Sequence, residues 1–322
     1  MESSLRHSEP GRSDRIDRLL RRALFLDLEV SPSGKILKMV AVLGERTFVR
    51  AGRFSLGEGL GELSVLAGDA HCVLGHNLAR HDLRVLRETA PHHLLLGLPV
   101  IDTLILSPIA FPENPYHRLV KDYKLVRESV NDPVADARQA ALLFGDEFWS
   151  LNGLRQMEPR LFELLHYLLA TPGGEGDLSA LGLAMVFETL GGTQPSPPRA
   201  LQLGRELFQQ WACASVPVDE SHVRTAEQRM ALAYVAAWLR VAGSNSVLPP
   251  WVRLEHPRVG PWIARLREVP CVAEDCAYCR RVHNARGQLQ SFFGLDDFRP
   301  SPVNAKGGSM QQDIVEAGLR NE

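Results

Sequence analysis

Two acidic residues stand two positions apart in the apolar run that begins at residue 23. Asp27 and Glu29 flank Leu28, and residues i and i+2 of a β-strand point to the same face of the sheet. Two carboxylates about 4 Å apart repel each other by roughly 4 kcal/mol at an effective dielectric constant near 20. The pair therefore indicates either a site that binds cations or two solvated acids at an exposed strand end.

Further acids lie in two later segments. Asp82 closes the stretch 75–82 (GHNLARHD), which is predicted to be a strand-to-helix junction where polar side chains can face a cleft. Asp132 and Asp136 stand in the first turns of a predicted helix. The helix macrodipole explains Asp132, because it favours acids in the first turn. It does not explain Asp136, which precedes the mostly apolar stretch 140–144.

In combination these segments resemble the DEDD family of 3′→5′ exonucleases, which includes the proofreading subunit of DNA polymerase III and ribonuclease T. The matching pieces follow the family's order and spacing: FLDLE at 25–29, His76-Asn77 through Asp82, IDTL at 101–104, and Asp136-Ala137. The resemblance covers about residues 23–150. It implies an α/β, ribonuclease-H-like fold, in which helices flank a mixed five-stranded sheet.

The resemblance also implies hydrolysis of phosphodiester bonds by two metal ions. Asp27, Glu29 and Asp136 would hold the ion on the side of the nucleophile. Asp27 would bridge to the second ion, which Asp82 would reach directly or through water. Oxygen ligands favour hard divalent cations, so the expected cofactors are two Mg²⁺ or Mn²⁺ ions.

The general base departs from the family pattern. The common subfamily has a histidine five residues before the last aspartate, where this chain has Asn131, which cannot take a proton near pH 7. The other subfamily has a tyrosine four residues before it, where this chain has Asp132. His117, on a nearby predicted loop, is either a substitute base or a surface histidine. Loss of a general base slows a reaction roughly 10²–10⁴-fold, so weak activity or none is an open outcome.

Three cysteines and a histidine cluster near residue 275. Zn²⁺ takes four N or S ligands in a tetrahedron, and closely spaced Cys and His residues provide them. We predict one structural Zn²⁺ held by Cys271, Cys276, Cys279 and His283. The alternatives are a chance cluster of buried thiols and a redox C-x-x-C motif, although no thioredoxin-like context follows it.

Residues 288–300 read QLQSFFGLDDFRP, and QQDIV follows at 311–315 after a loop. With these motifs, residues 288–322 resemble the adenine-recognising segment that opens RecQ-type DNA helicases. The resemblance assigns the reading of adenine to Gln311, and Phe298 and Arg299 would shape its pocket. No G-x4-G-K-S/T motif occurs, so we do not expect this chain alone to hydrolyse ATP. The whole layout resembles the N-terminal part of bacterial RecQ-like helicases that carry an exonuclease domain. We expect the chain to be a truncated form of one, a gene fragment or one half of a split gene.

The composition excludes several classes of protein. The 322 residues are 45% hydrophobic and 23% charged, with a net charge of −2, which excludes a wholly disordered chain and shows no global basic bias for nucleic acid. The five cysteines are an odd and unevenly spaced set, in which Cys72 and Cys213 stand alone. This favours a metal site over a disulfide framework. No apolar run approaches the roughly 20 residues of a membrane span, and no secretion signal precedes the first strand. We therefore predict a cytoplasmic protein without membrane contact.

Strands and helices alternate up to about residue 150, which predicts an α/β architecture. The predicted strands are 23–30, 36–43, 46–50, 72–75 and 99–103, and the predicted helices are 14–22, 78–89 and 132–149. The stretch 151–250 is helical by pattern, with two Gly/Pro-rich breaks. The predicted parts are an N-terminal tail (1–22), the exonuclease domain (23–150), a helical connecting domain (151–260), a zinc segment (261–287) and the start of a helicase domain (288–322).

Three functions are consistent with these sequence features. The leading one is a metal-dependent 3′→5′ exonuclease that trims single-stranded DNA or 3′ ends during repair, with a helicase core in cis or in trans as its partner. The second is a nuclease-impaired DNA-binding module that presents strands to a helicase motor, and Asn131 motivates it. The third is a scaffold, in which the helices of 151–250 dock domains against each other.

Overall fold

The computed structural model describes residues 10–114, 133–241, 248–268, 271 and 276–282. Side chains are described in the same ranges except at 10–13, 133–138, 267–268 and 280–282. The chain divides into two compact units. Unit 1 comprises Met1–Phe111 with Tyr116–Ser196, and unit 2 comprises Pro112–Pro115 with Pro197–Glu322.

Unit 1 is built on a five-stranded mixed sheet. Its strands are β1 (Ala23–Val30), β2 (Ile36–Leu43), β3 (Arg46–Ala51), β4 (Cys72–Gly75) and β5 (Val100–Asp102). They lie in the order β3-β2-β1-β4-β5. The first three form an antiparallel meander, and β4 and β5 run parallel to β1. The predicted α/β class is confirmed by this sheet and its helices.

Seven helices accompany the sheet among the described residues of unit 1. They are α1 (Pro10–Arg22), α2 (Leu56–Ala67), α3 (Asp82–Thr89), α4 (Thr103–Ala110), α5 (Pro133–Met157), α6 (Pro159–Ala170) and α7 (Leu178–Thr189). Leu24, Leu26 and Leu28 of β1 share a core with Leu63 and Leu66 of α2. In addition, α5 packs against β1, β2 and β4. The alternation of β1 therefore places Asp27 and Glu29 on the face opposite these leucines.

The predicted strands 23–30, 36–43 and 72–75 are confirmed at the same bounds, and the other two strands differ by one or two residues at their ends. All three predicted helices have different bounds. The predicted helix 14–22 begins earlier, at Pro10, as α1. The predicted helix 78–89 begins only at Asp82, because the chain forms a turn after β4 in which Asn77 has a positive φ of 61°. The predicted helix 132–149 continues to Met157 as α5, passing through residue 150 without a break.

In its described residues unit 2 is helical. Its helices are α8 (Pro197–Trp211), α9 (Ala226–Arg240), α10 (Pro250–Glu255), α11 (Val259–Glu268) and α12 (Ala277–Val282). The central one is α9, which is buried continuously from Ala231 to Leu239. A capping box between Thr225 and Gln228 satisfies the first free N–H groups of α9. None of the described helices in either unit combines the length and apolarity needed to cross a membrane.

Candidate acidic site and cysteine cluster

Asp82, the first residue of α3, reaches the strand that carries the other two predicted acids. Its Oδ1 accepts a hydrogen bond of 2.7 Å from the backbone N–H of Leu28, between Asp27 and Glu29. β1 pairs with β4 only as far as Phe25, so Asp27 and Glu29 extend past the end of β4. The turn after β4 leads the chain back to them. We call Asp27, Glu29 and Asp82 the acidic edge.

Asp102 fixes the turn after β4, which leads the chain to Asp82. Its carboxylate accepts hydrogen bonds from the backbone N–H groups of Asn77 at 2.8 Å and Ala79 at 3.0 Å. It also caps α4 through the N–H of Leu104 at 3.0 Å. One buried carboxylate at the end of β5 thus fixes both the turn after β4 and the start of the next helix. Our sequence analysis placed Asp102 in a family motif but did not predict this role.

The surroundings of Asp82 disfavour its ionisation beside the charge of Asp27. Burial raises the pKa of Asp82 well above its ordinary value, and the charge of Asp27 raises it further. The hydrogen bond from Leu28 acts in the opposite direction. Glu29 is more exposed to solvent than Asp82, and its Oε1 lies 3.9 Å from Nζ of Lys38. A cation beside Asp27 and Asp82 would favour the ionised form of both.

The side chains of the other predicted members of the nuclease site lie outside the described residues. Asp136 belongs to α5, whose backbone packs against β1, but its side chain lies outside the described residues. His117 and Asn131 lie outside them entirely. Asp27, Glu29 and Asp82 do not converge on one ion by themselves. Of the Cys, His, Asp and Glu side chains that the structure describes, only a group of cysteines does so.

Glu147 is a buried acid that our sequence analysis missed. It stands on α5 with no exposed surface, and Oγ of Ser107 donates to its Oε1. Among the described residues, its Oε2 has no hydrogen-bond partner. Burial raises the pKa of Glu147 well above its ordinary value, and the charges of Asp102 and Asp146 add to this, so the protonated form is favoured. Its helical spacing from the apolar residues Phe144 (i−3) and Leu151 (i+4) was the available signal.

Four cysteines of unit 2 converge, and they could hold a metal ion. The sulfur atoms of Cys213, Cys271, Cys276 and Cys279 all lie within 4.8 Å of one another. Sγ of Cys279 is 3.4 Å from that of Cys213 and 3.6 Å from that of Cys271. We call these residues the cysteine cluster. Three of them were predicted ligands, whereas Cys213 was read as an isolated cysteine, and the fourth predicted ligand, His283, lies outside the described residues.

Backbone N–H groups surround the sulfur atoms. The N–H of Cys271 donates to Sγ of Cys279 at 3.3 Å, and the N–H of Ser215 donates to Sγ of Cys213 at 3.5 Å. Burial opposes ionisation of the Cys276 thiol, but hydrogen bonds from the backbone of Ala214 and Cys279 and from neighbouring thiols lower its pKa to about 6. Hydrogen bonds thus favour the thiolate of Cys276, whereas burial raises the pKa of Cys279. The thiolate is the form that binds metals.

The adenine-reading segment, with Phe298, Arg299 and Gln311, lies outside the described residues. No protein-family model, curated protein or solved structure matches the chain. The exonuclease and helicase resemblances therefore rest on the sequence motifs quoted above.

Proposed function

We propose that residues 23–150 form a ribonuclease-H-like, metal-dependent 3′→5′ exonuclease module that acts on DNA ends as part of a RecQ-like repair helicase. The observation that carries the proposal is the hydrogen bond from Leu28 to Asp82 at 2.7 Å. It joins two of the motifs that define the resemblance, although they are far apart in the sequence. A mixed five-stranded sheet with flanking helices is also what the resemblance implies.

Two Mg²⁺ or Mn²⁺ ions would activate a water molecule and stabilise the leaving oxygen. Asp27, Glu29 and Asp136 would hold one ion, and Asp27 and Asp82 the other. The proximity of Asp27 and Asp82, which disfavours their joint ionisation, supports a cation at this position. Asp102 acts as a positioning residue, because its bonds to the turn after β4 fix where α3 begins.

The test is a time course on single-stranded DNA labelled at its 5′ end, in the presence of Mn²⁺. The wild type should give a ladder that shortens from the 3′ end. Asp27→Asn, which keeps the shape of the side chain but removes its charge, should lower the rate at least about 100-fold. Asp69→Asn is the matched control, because Asp69 is an exposed acid of the same unit, paired only with Arg46 at the surface.

Equal ladders from the wild type and Asp27→Asn would contradict the proposal and point to a contaminating nuclease. If the wild type gives no ladder but still binds DNA, the alternative of a nuclease-impaired binding module is supported. The variant Asn131→His then distinguishes a missing base from a missing site. A restored base should raise cleavage by roughly 10²-fold or more.

We also propose that Cys271, Cys276 and Cys279 of the cysteine cluster hold one structural zinc ion together with a fourth protein ligand. All its ligands would come from the protein, which is typical of structural rather than catalytic zinc sites. Thiolate ligands persist in a reducing compartment, in line with the predicted cytoplasmic location. Elemental analysis of the purified chain should give about one zinc per molecule. Freely titratable thiols and no zinc would overturn this proposal.

A further inference from the structure

We infer that Cys213, and not His283, is the fourth ligand of the zinc ion, so that the site is a mononuclear centre with four thiolates. The inference rests on the zinc site proposed above and specifies its ligands. It also changes what the ion does. A site within residues 271–283 would be a local finger, whereas a site that includes Cys213 joins the end of α8 to the segment that precedes α12.

The sulfur geometry indicates a single ion. Four sulfur atoms placed tetrahedrally at about 2.3 Å from one zinc lie about 3.8 Å from each other. The two separations that involve Cys279 are 3.4 and 3.6 Å, and the full set lies within 4.8 Å. An iron–sulfur cluster would spread its cysteines over two or more iron atoms and so hold them farther apart.

The ligand count is complete with the four cysteines. Structural zinc sites are almost always four-coordinate, and Cys213, Cys271, Cys276 and Cys279 all point to one position. Cys213, Cys276 and Cys279 are also buried, which limits the access of water to the site. This arrangement needs no fifth ligand.

The turn after α8 provides an independent indication that Cys213 belongs to the site. The turn is closed by a hydrogen bond of 2.9 Å from the N–H of Val216 to the carbonyl of Cys213. Within it, Ser215 donates to Sγ of Cys213, while the N–H of Ala214 donates to Sγ of Cys276 on the other segment. Hydrogen-bond donors that contact the ligand atoms of a metal site orient these ligands and tune their affinity for the metal. The turn therefore supplies both a ligand and a donor to a ligand far away in the sequence.

Ligation by Cys213 would close the chain between residues 213 and 271 into a loop. This loop contains α9, α10 and α11. A cross-link of this length removes conformational freedom from the unfolded chain. Beside the cluster, the hydroxyl of Tyr278 on α12 donates to the carbonyl of Leu266 on α11 at 3.1 Å. The ion would thus stabilise the helical unit as a whole.

The test compares zinc content and Co²⁺ spectra of the full chain in four variants. Cys213→Ala should lose zinc, with affinity reduced more than about 100-fold. His283→Ala should keep about one zinc per chain. Cys72→Ala is the matched control, since Cys72 is an equally buried cysteine on β4 of unit 1. Cys213→His offers a replacement nitrogen ligand and should retain the metal.

The Co²⁺ spectra separate loss of a ligand from failure to fold. Sulfur-to-cobalt charge-transfer absorption grows with the number of thiolate ligands, so the wild type should show the intensity of four and Cys213→His that of three. Retention of zinc by Cys213→Ala together with its loss in His283→Ala would overturn the inference but leave the zinc proposal intact. An identical cobalt spectrum in Cys213→His and the wild type would also overturn it. Absence of metal from the wild type would instead overturn the zinc proposal itself.

Discussion

The acidic edge and the cysteine cluster are both groups of potential metal ligands, but the protein positions them in different ways. The acidic edge is held by hydrogen bonds within the fold: Leu28 donates to Asp82, and Asp102 ties down the turn that delivers it. The sulfur atoms of the cluster instead crowd one another within 4.8 Å. Backbone N–H groups also donate to the sulfur atoms, but thiolates this close would repel one another without a cation among them.

This difference teaches where an ion would contribute to stability. A site that is already positioned by the fold uses an ion for chemistry, and its removal leaves the structure in place. A site whose ligands crowd around one position draws on the free energy of metal binding to fold. We therefore expect the two regions to respond in opposite ways to loss of metal.

The largest effect is expected when a chelator removes the metal from the protein. Loss of zinc should reduce the amide protection of α8 and α9 at least about tenfold, because the link between Cys213 and Cys271 is broken. The amides of β1 and β4 should keep their protection. Hydrogen exchange followed by mass spectrometry measures both in one sample.

Adding zinc back should restore protection in α8 and α9, which controls for irreversible damage. An equal loss in the strands and the helices would show that the two regions do not differ in this respect.

The same contrast explains what could be predicted from the sequence. β1, β2 and β4 are short apolar runs bounded by turn residues, so their bounds follow from local pattern. The role of Asp102 does not follow from local pattern, because its hydrogen bonds to Asn77 and Ala79 join segments that are distant in the sequence. Cys213 likewise has no local signal, since a single cysteine after a helix is usually a small buried residue.

The next largest effect is expected at Gly182, where α7 packs against β5, the strand that ends in Asp102. A Cβ at this glycine would lie 2.0 Å from the carbonyl oxygen of Val100 and 2.4 Å from its carbonyl carbon. Both are backbone atoms and cannot rotate away. Gly182→Ala should therefore lower the free energy of unfolding by at least about 3 kcal/mol, as measured by urea denaturation.

Gly153→Ala on α5 is the control for this substitution. A Cβ there meets no atom within 4 Å, so the higher helix propensity of alanine should raise stability by up to about 1 kcal/mol. Similar destabilisation by both alanines would mean that α7 does not approach β5 as closely as the structure indicates.

A smaller effect is expected from Asp102→Ala, which removes the acceptor for three backbone N–H groups. Leaving these donors unsatisfied should cost about 2–3 kcal/mol. Any metal-dependent cleavage should fall as well, since the turn that positions Asp82 is released. Asp102→Asn keeps one carbonyl oxygen and should cost about half as much. Equal losses in the two variants would contradict acceptance by both oxygens.

The smallest effect is expected at Glu147, and it should appear mainly as a change in pH dependence. Burial raises the pKa of Glu147 in the folded protein, so the folded state retains a proton that the unfolded state releases above about pH 4.3. Stability must then fall as the pH rises through this range, by at most about 1.4 kcal/mol per pH unit from this group. Glu147→Gln, which keeps an acceptor for Ser107 and cannot ionise, should remove that slope. Unfolding in urea at pH 5, 6 and 7 tests this, and an unchanged slope would mean that Glu147 ionises as readily in the folded protein as in the unfolded chain.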